Sequence, residues 1–537
     1  MTFPERLSLR RAILLGIGSL VACGAAVLAF RQISRGNAAR DRYERLLQER
    51  PAMPAVDAES EASVRVFCGD CHAVPRPESF HRDAWHDEVR RGYEFYAKSE
   101  RTDLKPPPIH VTTAYFRSRA PERLVYPQPV ESTSPLPVAF KRERLTLEPD
   151  AKFSAAISHL CWTRLEADAP PVLLASDMRT GDIVSLDLRR GDRKPRLLAR
   201  LENPCRIEPC DLDGDGAIDL LVSDLGSFSA SDHDRGQVVW LRRDKGKETF
   251  EKIVLARGLG RVADVRVADF DGDGRLDLLV AVFGNHTTGK ILLLRNVAPR
   301  GQTPRFEPKP IDPRPGTIHV PVHDFDRDGR PDFLALVSQE YECVDLFLNQ
   351  GNGDFRRRTL WSGPDLSFGS SGIELVDLNG DGRLDIFYTN GDAFDNKYLS
   401  PWHGVQWLEN LGDLRFAYHR LTDMPGACRA AIGDFEGNGS PDLVVTAWVP
   451  DQFSPDTLKP ADLPSIVLLK QTSPGQFVRH TLETGFPYHA AIASGDFNGD
   501  GALDFVTGVH AGNAVPATHW LEIWWNQDKP PAKGRLP

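Results

Sequence analysis

Two sets of residues in this 537-residue chain have the types and spacing to do chemistry. The first is Cys68, Cys71 and His72, in the run Cys-Gly-Asp-Cys-His. Two thiols so placed can form thioethers to the vinyl groups of a haem, and the adjoining imidazole can ligate its iron. This is the attachment signature of c-type haem. A zinc site would need further ligands at zinc spacing, and no second C-x-x-C occurs. The second set is a nine-residue acidic loop that occurs six times, at 211–219, 269–277, 324–332, 377–385, 434–442 and 496–504. Every copy places oxygen-bearing side chains at positions 1, 3, 5 and 9, with Gly at position 6. A hard cation such as Ca2+ takes roughly six to eight oxygens, and the Gly permits a sharp turn. An EF-hand would add Glu at position 12. Here that position holds Val222, Val280, Ala335, Tyr388, Val445 and Thr507. The flanks read as strands, so each loop joins two strands.

The haem motif needs a small unit around it, and residues 61–126 supply one. Residues 61–67 read as a helix leading into the motif. Trp85, Val89 and Tyr96 share one side of a helical stretch over 85–98, a face suited to packing on a haem plane. Candidates for the sixth iron ligand are His81, His86 and His110, or no protein ligand at all. Residues 112–124 read as a closing helix, and 126–137, with four Pro, as the linker out.

The acidic loops need a repeating frame. Their first Asps lie 58, 55, 53, 57 and 62 residues apart, a period that means stacked or radial units. After each loop comes an apolar strand, then a variable loop and a short strand. That short strand recurs seven times, the last copy ending at Asn526. An outer strand, often led by Phe, follows each of the first six but not the seventh. Residues 140–148 carry the missing pattern. This predicts a mostly β fold: a seven-bladed propeller over 138–526, four strands per blade, with strand 140–148 closing the last blade. Closure removes the sheet edges that an open array would expose. Blade one, about 153–201, lacks an acidic loop.

The six loops, with Phe or Leu at position 2, resemble the FG-GAP and VCBS repeats of integrin α-subunit heads and of many exported bacterial proteins. The loop at 324–332 departs in having Arg327 for the first Gly. The resemblance implies calcium ligation by Asp211, Asp213, Asp215 and Asp219; Asp269, Asp271, Asp273 and Asp277; Asp324, Asp326, Asp328 and Asp332; Asp377, Asn379, Asp381 and Asp385; Asp434, Glu436, Asn438 and Asp442; and Asp496, Asn498, Asp500 and Asp504. The 434–442 loop, with the longer Glu436 and the uncharged Asn438, is expected to bind most weakly. A C-x-x-C-H unit ahead of such repeats also resembles a class of uncharacterised exported bacterial proteins.

Composition agrees with cation loading. The formal charge is −10, and the six loops alone hold 20 Asp and one Glu. Six Ca2+ ions would carry the total to about +2. There is no basic stripe and no nucleic-acid recognition motif. Residues 12–30 are uncharged and follow Arg6, Arg10 and Arg11, so 1–30 read as a signal or membrane anchor and 31–60 as a stalk or linker. Cys23 ends a run like a bacterial lipobox, which leaves lipid anchoring open. All of these export the remainder to the periplasmic or outer side of a bacterial membrane. Eight scattered Cys do not make a disulfide scaffold.

Strand order puts the acidic loops on one face of the ring and the long variable loops, 224–236, 390–404, 448–464 and 509–520, on the other. Near the start of the inner strands lie His159, Arg206, Asp264, His319, Arg429 and His489. They are expected to ring the channel mouth, either as a solvated lining or as a site for an anionic or sugar ligand. Together these features predict an exported, membrane-tethered monohaem cytochrome fused to a calcium-stabilised propeller, passing electrons to a redox partner. The alternatives are a haem-linked sugar or alcohol dehydrogenase, and a carbohydrate-binding or carbohydrate-cleaving propeller.

Overall fold

The structure is a computed structural model, and it describes residues 55–70, 73–98, 101–146, 153–364, 366–394, 397–512 and 518–528. The expected anchor, nearly all of the stalk, Cys71 and His72 lie outside the described residues. Among the described residues no helix is long and apolar enough to cross a membrane. The chain forms two compact units, Met1–Leu124 and Val125–Pro537.

Among the described residues the first unit has three α-helices: α1, Ala58–Cys68; α2, Trp85–Lys98; and α3, Ile109–Arg119. Asp57 caps α1 by accepting the N–H of Ser60 at 2.8 Å. The Gly69 N–H closes its other end on the Arg65 carbonyl. Aromatic side chains then bind the helices together. Trp85 stacks on Phe116 at 4.1 Å and meets Phe80 edge-on. Phe67 packs on Tyr93 and Tyr96. The α2 face expected to lie on a haem plane is therefore engaged by the unit's own core. His81 accepts the Ala84 N–H through Nδ1, and His86 is exposed.

The second unit is a mostly β ring of seven sheets, the seven-bladed propeller. Blade three shows the rule. Its strands are Val262–Ala268, Asp277–Val282, Lys290–Asn296 and Phe306–Asp312, in that spatial order. The second strand is buried at all six positions because neighbouring blades cover both of its faces. Leu278, Val280 and Val282 pack with Val238 and Trp240 of the blade before. Leu279 and Ala281 pack with Phe333 and Ala335 of the blade after. A continuous apolar run, rather than an alternating one, is what two-sided burial requires. In blade four the inner strand is broken into Thr317–His319 and Val322–His323. Pro321 stands in the gap, and it has no N–H to offer a ladder.

Blade seven is built from both ends of the unit. His489–Gly495, Asp504–Val509 and His519–Asn526 make three strands. Phe140–Thr146 is the fourth, antiparallel to His519–Asn526 with Phe140 opposite Asn526 and Leu145 opposite Leu521. Phe140 anchors the seam against Phe505 and Phe435.

Candidate functional site

Each acidic loop joins the innermost strand of its blade to the second. In 269–277, Asp269 Oδ1 accepts the N–H groups of Gly272 (2.8 Å) and Asp273 (3.1 Å). Its Oδ2 accepts that of Gly274 at 2.8 Å. The chain thus wraps around the first carboxylate, and Gly272 and Gly274 adopt the positive φ this needs (80° and 82°). The loops at 377–385 and 496–504 repeat the same bonds. In 324–332 Arg327 takes the left-handed conformation itself, at φ 61°.

Position 9 plays a different part. Asp277 accepts one buried N–H from position 2 of its own loop and another from the end of the third strand. Asp219, Asp332, Asp385 and Asp504 do the same. Burial, with neighbouring carboxylates adding to it, pushes the carboxyls of Asp277, Asp442 and Asp504 up to about 6.

Three loops bring three carboxylates together, with one oxygen from each within 4.8 Å of the others: Asp211, Asp213 and Asp219; Asp269, Asp271 and Asp273; Asp324, Asp326 and Asp332. In the rest, Asn379, Asn498, or Glu436 with Asn438, stand at positions 3 and 5. Asp211 Oδ1 and Asp213 Oδ1 are buried without a hydrogen-bond partner. Crowded, orphaned carboxylate oxygens of this kind fit a hard divalent cation. Arginines meet part of the charge: Arg295 pairs with Asp271 at 2.6 Å and Arg242 with Asp213 at 2.7 Å.

The channel residues form a closed network rather than an open ring. Asp264 is fully buried and meets Arg206 at 3.2 Å, Arg266 at 3.1 Å and His319 at 3.6 Å. Arg266 also reaches Glu208 at 3.5 Å. Burial opposes ionisation of Asp264, yet Arg266 and Arg206 hold its carboxyl well below the usual range. Burial, then Arg429, pushes His319 down to about 3. Burial and Arg206 likewise keep His159 neutral, and its Nδ1 accepts the Ile207 N–H. Arg429 has no ion pair among the described residues. His489 is not in this network; it bonds Glu483 at 2.7 Å. Glu208 and Arg266 went unread in the sequence. Each stands two residues after Arg206 or Asp264, hence on the same strand face, and that spacing was the available signal.

The opposite face carries exposed aromatics. Phe228, Tyr341, Phe394 and Trp402 all stand in loops between second and third strands. Phe394 stacks on Trp448 at 6.0 Å, Trp448 meets His510 at 5.4 Å, and His510 meets Phe228 at 5.8 Å. Arg179 covers Phe228 at 4.6 Å. This row joins loops from five blades across the mouth of the ring.

The FG-GAP-like repeat model matches residues 206–280 and 308–388. The matched residues fall within blades two to five of the seven-bladed ring. It is 23% identical over 322 residues to T-cell immunomodulatory protein of Rattus norvegicus, covering 55% of this chain and 48% of that protein. It is 24% identical over 323 residues to the Mus musculus protein of the same name, with the same coverage. To cartilage acidic protein 1 of Homo sapiens it is 23% identical over 296 residues, 50% of this chain and 42% of that one. The chain thus spans about half the length of the relatives it matches.

These matches correct the functional expectation. The relatives are named as immunomodulatory and cartilage proteins, and the matched family is an FG-GAP-like repeat; neither is a cytochrome. The electron-transfer function drawn from Cys68, Cys71 and His72 is withdrawn, with its dehydrogenase and carbohydrate alternatives.

Proposed function

We propose that the chain is an exported, calcium-loaded propeller that binds a protein partner through the face opposite its acidic loops. One observation carries this reading. Of the propeller's exposed large aromatics, Phe153, Phe228, Tyr341, Phe394 and Trp402 lie on that face, and Tyr418 alone lies in an outer strand. Aromatic side chains offer large, stiff contact areas and are enriched in interface cores. Asp264 is buried and engaged by Arg206 and Arg266, which favours a docking surface on the loops over a ligand site at these residues. The names of the relatives, which state no catalytic activity, support a binding role.

Calcium supports the same role by fixing the frame. Asp211, Asp213 and Asp219 in one loop, Asp269, Asp271 and Asp273 in the next, and Asp324, Asp326 and Asp332 in a third would hold the ion, which neutralises crowded carboxylates and rigidifies the turn between inner and second strands. Export, supported by residues 12–30, would place the loops where calcium is plentiful.

The test is site-specific photo-crosslinking in the native host. A photoreactive residue at Trp402 should yield a discrete protein adduct, and one at the exposed Leu411, between third and fourth strands on the acidic-loop face, should not. Equal labelling from both positions, or none from Trp402, overturns the reading.

A further inference from the structure

The strongest unassigned chemistry lies at the seam of the ring. Glu483 ends the outer strand of blade six, Gln476–Thr484. His489 opens the inner strand of blade seven, and His519 and Glu522 lie in its third strand. Glu483, His489 and Glu522 each present a ligand atom within 4.8 Å of the others. His489 Nε2 is 2.7 Å from Glu483 Oε2, and His519 Nε2 is 3.0 Å from Glu522 Oε1. All four side chains are buried or nearly so, with His489 and Glu522 at 0% exposure. Despite this, His489 Nδ1, both nitrogens of His519 and Glu522 Oε2 lack a hydrogen bond. Buried polar atoms left so are costly unless something else satisfies them.

We propose that Glu483, His489, His519 and Glu522 form a site for one divalent transition-metal ion of the zinc class, which locks the seam where the ring closes. Two imidazoles and two carboxylates suit zinc-class ions, whereas the all-oxygen loops suit calcium. Four protein ligands leave no open position, the mark of a structural rather than a catalytic centre. Ligand atoms around a tetrahedral zinc lie about 3.3 Å apart; Glu483, His489 and Glu522 already gather within 4.8 Å, whereas His519, held 3.0 Å from Glu522 Oε1 and outside that group, must turn toward the ion to complete the set.

The surroundings are built to hold such a centre. Arg142 Nη1 binds Glu483 Oε1 and Arg144 Nε binds Glu522 Oε1, both at 2.5 Å. The closing strand thus holds one oxygen of each carboxylate and leaves Oε2 of each for the ion. Partners of this kind orient metal ligands. Phe486 packs on His489 and on His519, each at 5.4 Å, and fixes both rings. The ion would tie one strand of blade six to two of blade seven, and through the arginines to Phe140–Thr146.

The test uses the full chain, stripped of metal and returned to excess Ca2+ so that the acidic loops are filled. Zn2+ should then bind at one equivalent per chain. His519→Ala and Glu483→Gln should each weaken it by at least about tenfold, leaving calcium binding unchanged. Co2+ offers a readout that needs no variant: the wild-type chain should show the intense visible absorption of a four-coordinate centre, bleached by Zn2+. The proposal falls if no Zn2+ binds in the presence of Ca2+, if both variants bind it like wild type, or if bound Co2+ shows only weak six-coordinate absorption.

Discussion

Asp277 holds Asn296: its Oδ1 accepts the Asn296 N–H at 2.8 Å, while Oδ2 accepts that of Phe270 at 3.1 Å. One carboxylate thus staples the acidic loop to the third strand of its blade. Asp277→Ala would leave two buried N–H groups unpaired, at about 1–3 kcal/mol each. The expected loss is about 2–6 kcal/mol, with or without calcium. Asp271→Ala should act mainly when calcium is present, since its other partners are the half-exposed Arg295 and the Asp273 N–H at 3.3 Å. Urea unfolding of both variants, with calcium and with chelator, checks the contrast. Equal calcium dependence would merge the two roles.

Chelation should lower the unfolding temperature, and Ca2+ should restore it. The six loops should not fill together. The 434–442 loop, with Glu436 and Asn438, should fill last, and Asn438→Asp should tighten it roughly tenfold by adding a carboxylate next to the ion. Calorimetric titration of the stripped chain would resolve the weak step. If that step is unchanged in the variant, it belongs to another loop.

The buried histidines' contribution to stability should fall as pH drops from 7 to 5, against the opposite pull of Asp277, Asp442 and Asp504, whose raised carboxyls take up protons in the folded chain. Burial holds His319 and His403 down to about 3 and His510 to about 4, whereas unfolded histidine titrates near ~6.5. Between these values the unfolded chain binds the extra protons, so acid favours unfolding. The loss is about 2 kcal/mol per histidine across that window. Asp264 acts elsewhere: its carboxyl is depressed, so its contribution stays intact above the unfolded carboxylate value and is lost only in stronger acid. His403→Gln should flatten the slope of unfolding free energy between pH 5 and 6.5. A variant with the wild-type slope would show that His403 does not titrate as its burial implies.

The sequence was most legible where one pattern repeats. Six copies of the loop, each followed by an apolar strand, define the blades before any contact is known, and one missing outer strand points to the pattern at Phe140. Residues that meet only through the fold were harder to read. Glu483, His489, His519 and Glu522 come from three strands with no shared spacing, so nothing in the chain order groups them. His489 was placed with the channel residues because its position in the repeat matches theirs, yet it turns to Glu483 at the seam. The Cys68, Cys71 and His72 motif shows the reverse failure. Its chemistry is plain in five residues, but the function drawn from it did not survive comparison with a relative aligned over 322 residues.

The closing strand supports the last prediction. Phe140–Thr146 covers the edge of His519–Asn526, which would otherwise present unpaired backbone groups. It also brings Arg144 to Glu522, a carboxylate with no exposed surface. Burial alone would raise that carboxyl, but His519, His489 and Arg144 bring it down to about 2. Replacing Arg144 and Arg142 together with Leu would keep the strand while leaving Glu483 and Glu522 without their guanidinium partners. Breaking buried pairs from one side costs about 3–5 kcal/mol, and partial exposure of both arginines puts the expectation at the lower end. Deleting residues 1–146 should do more, because it also exposes the strand edge and the ring around Trp524: the product should associate or lose its cooperative transition. A synthetic peptide spanning 138–148, added in trans, should restore a monomeric ring by taking the vacant place. Sedimentation and thermal unfolding report both effects. A truncated chain that stays monomeric and unfolds at the wild-type temperature would show that six blades and three strands suffice, and that the closing strand is an ornament of the seam rather than its lock.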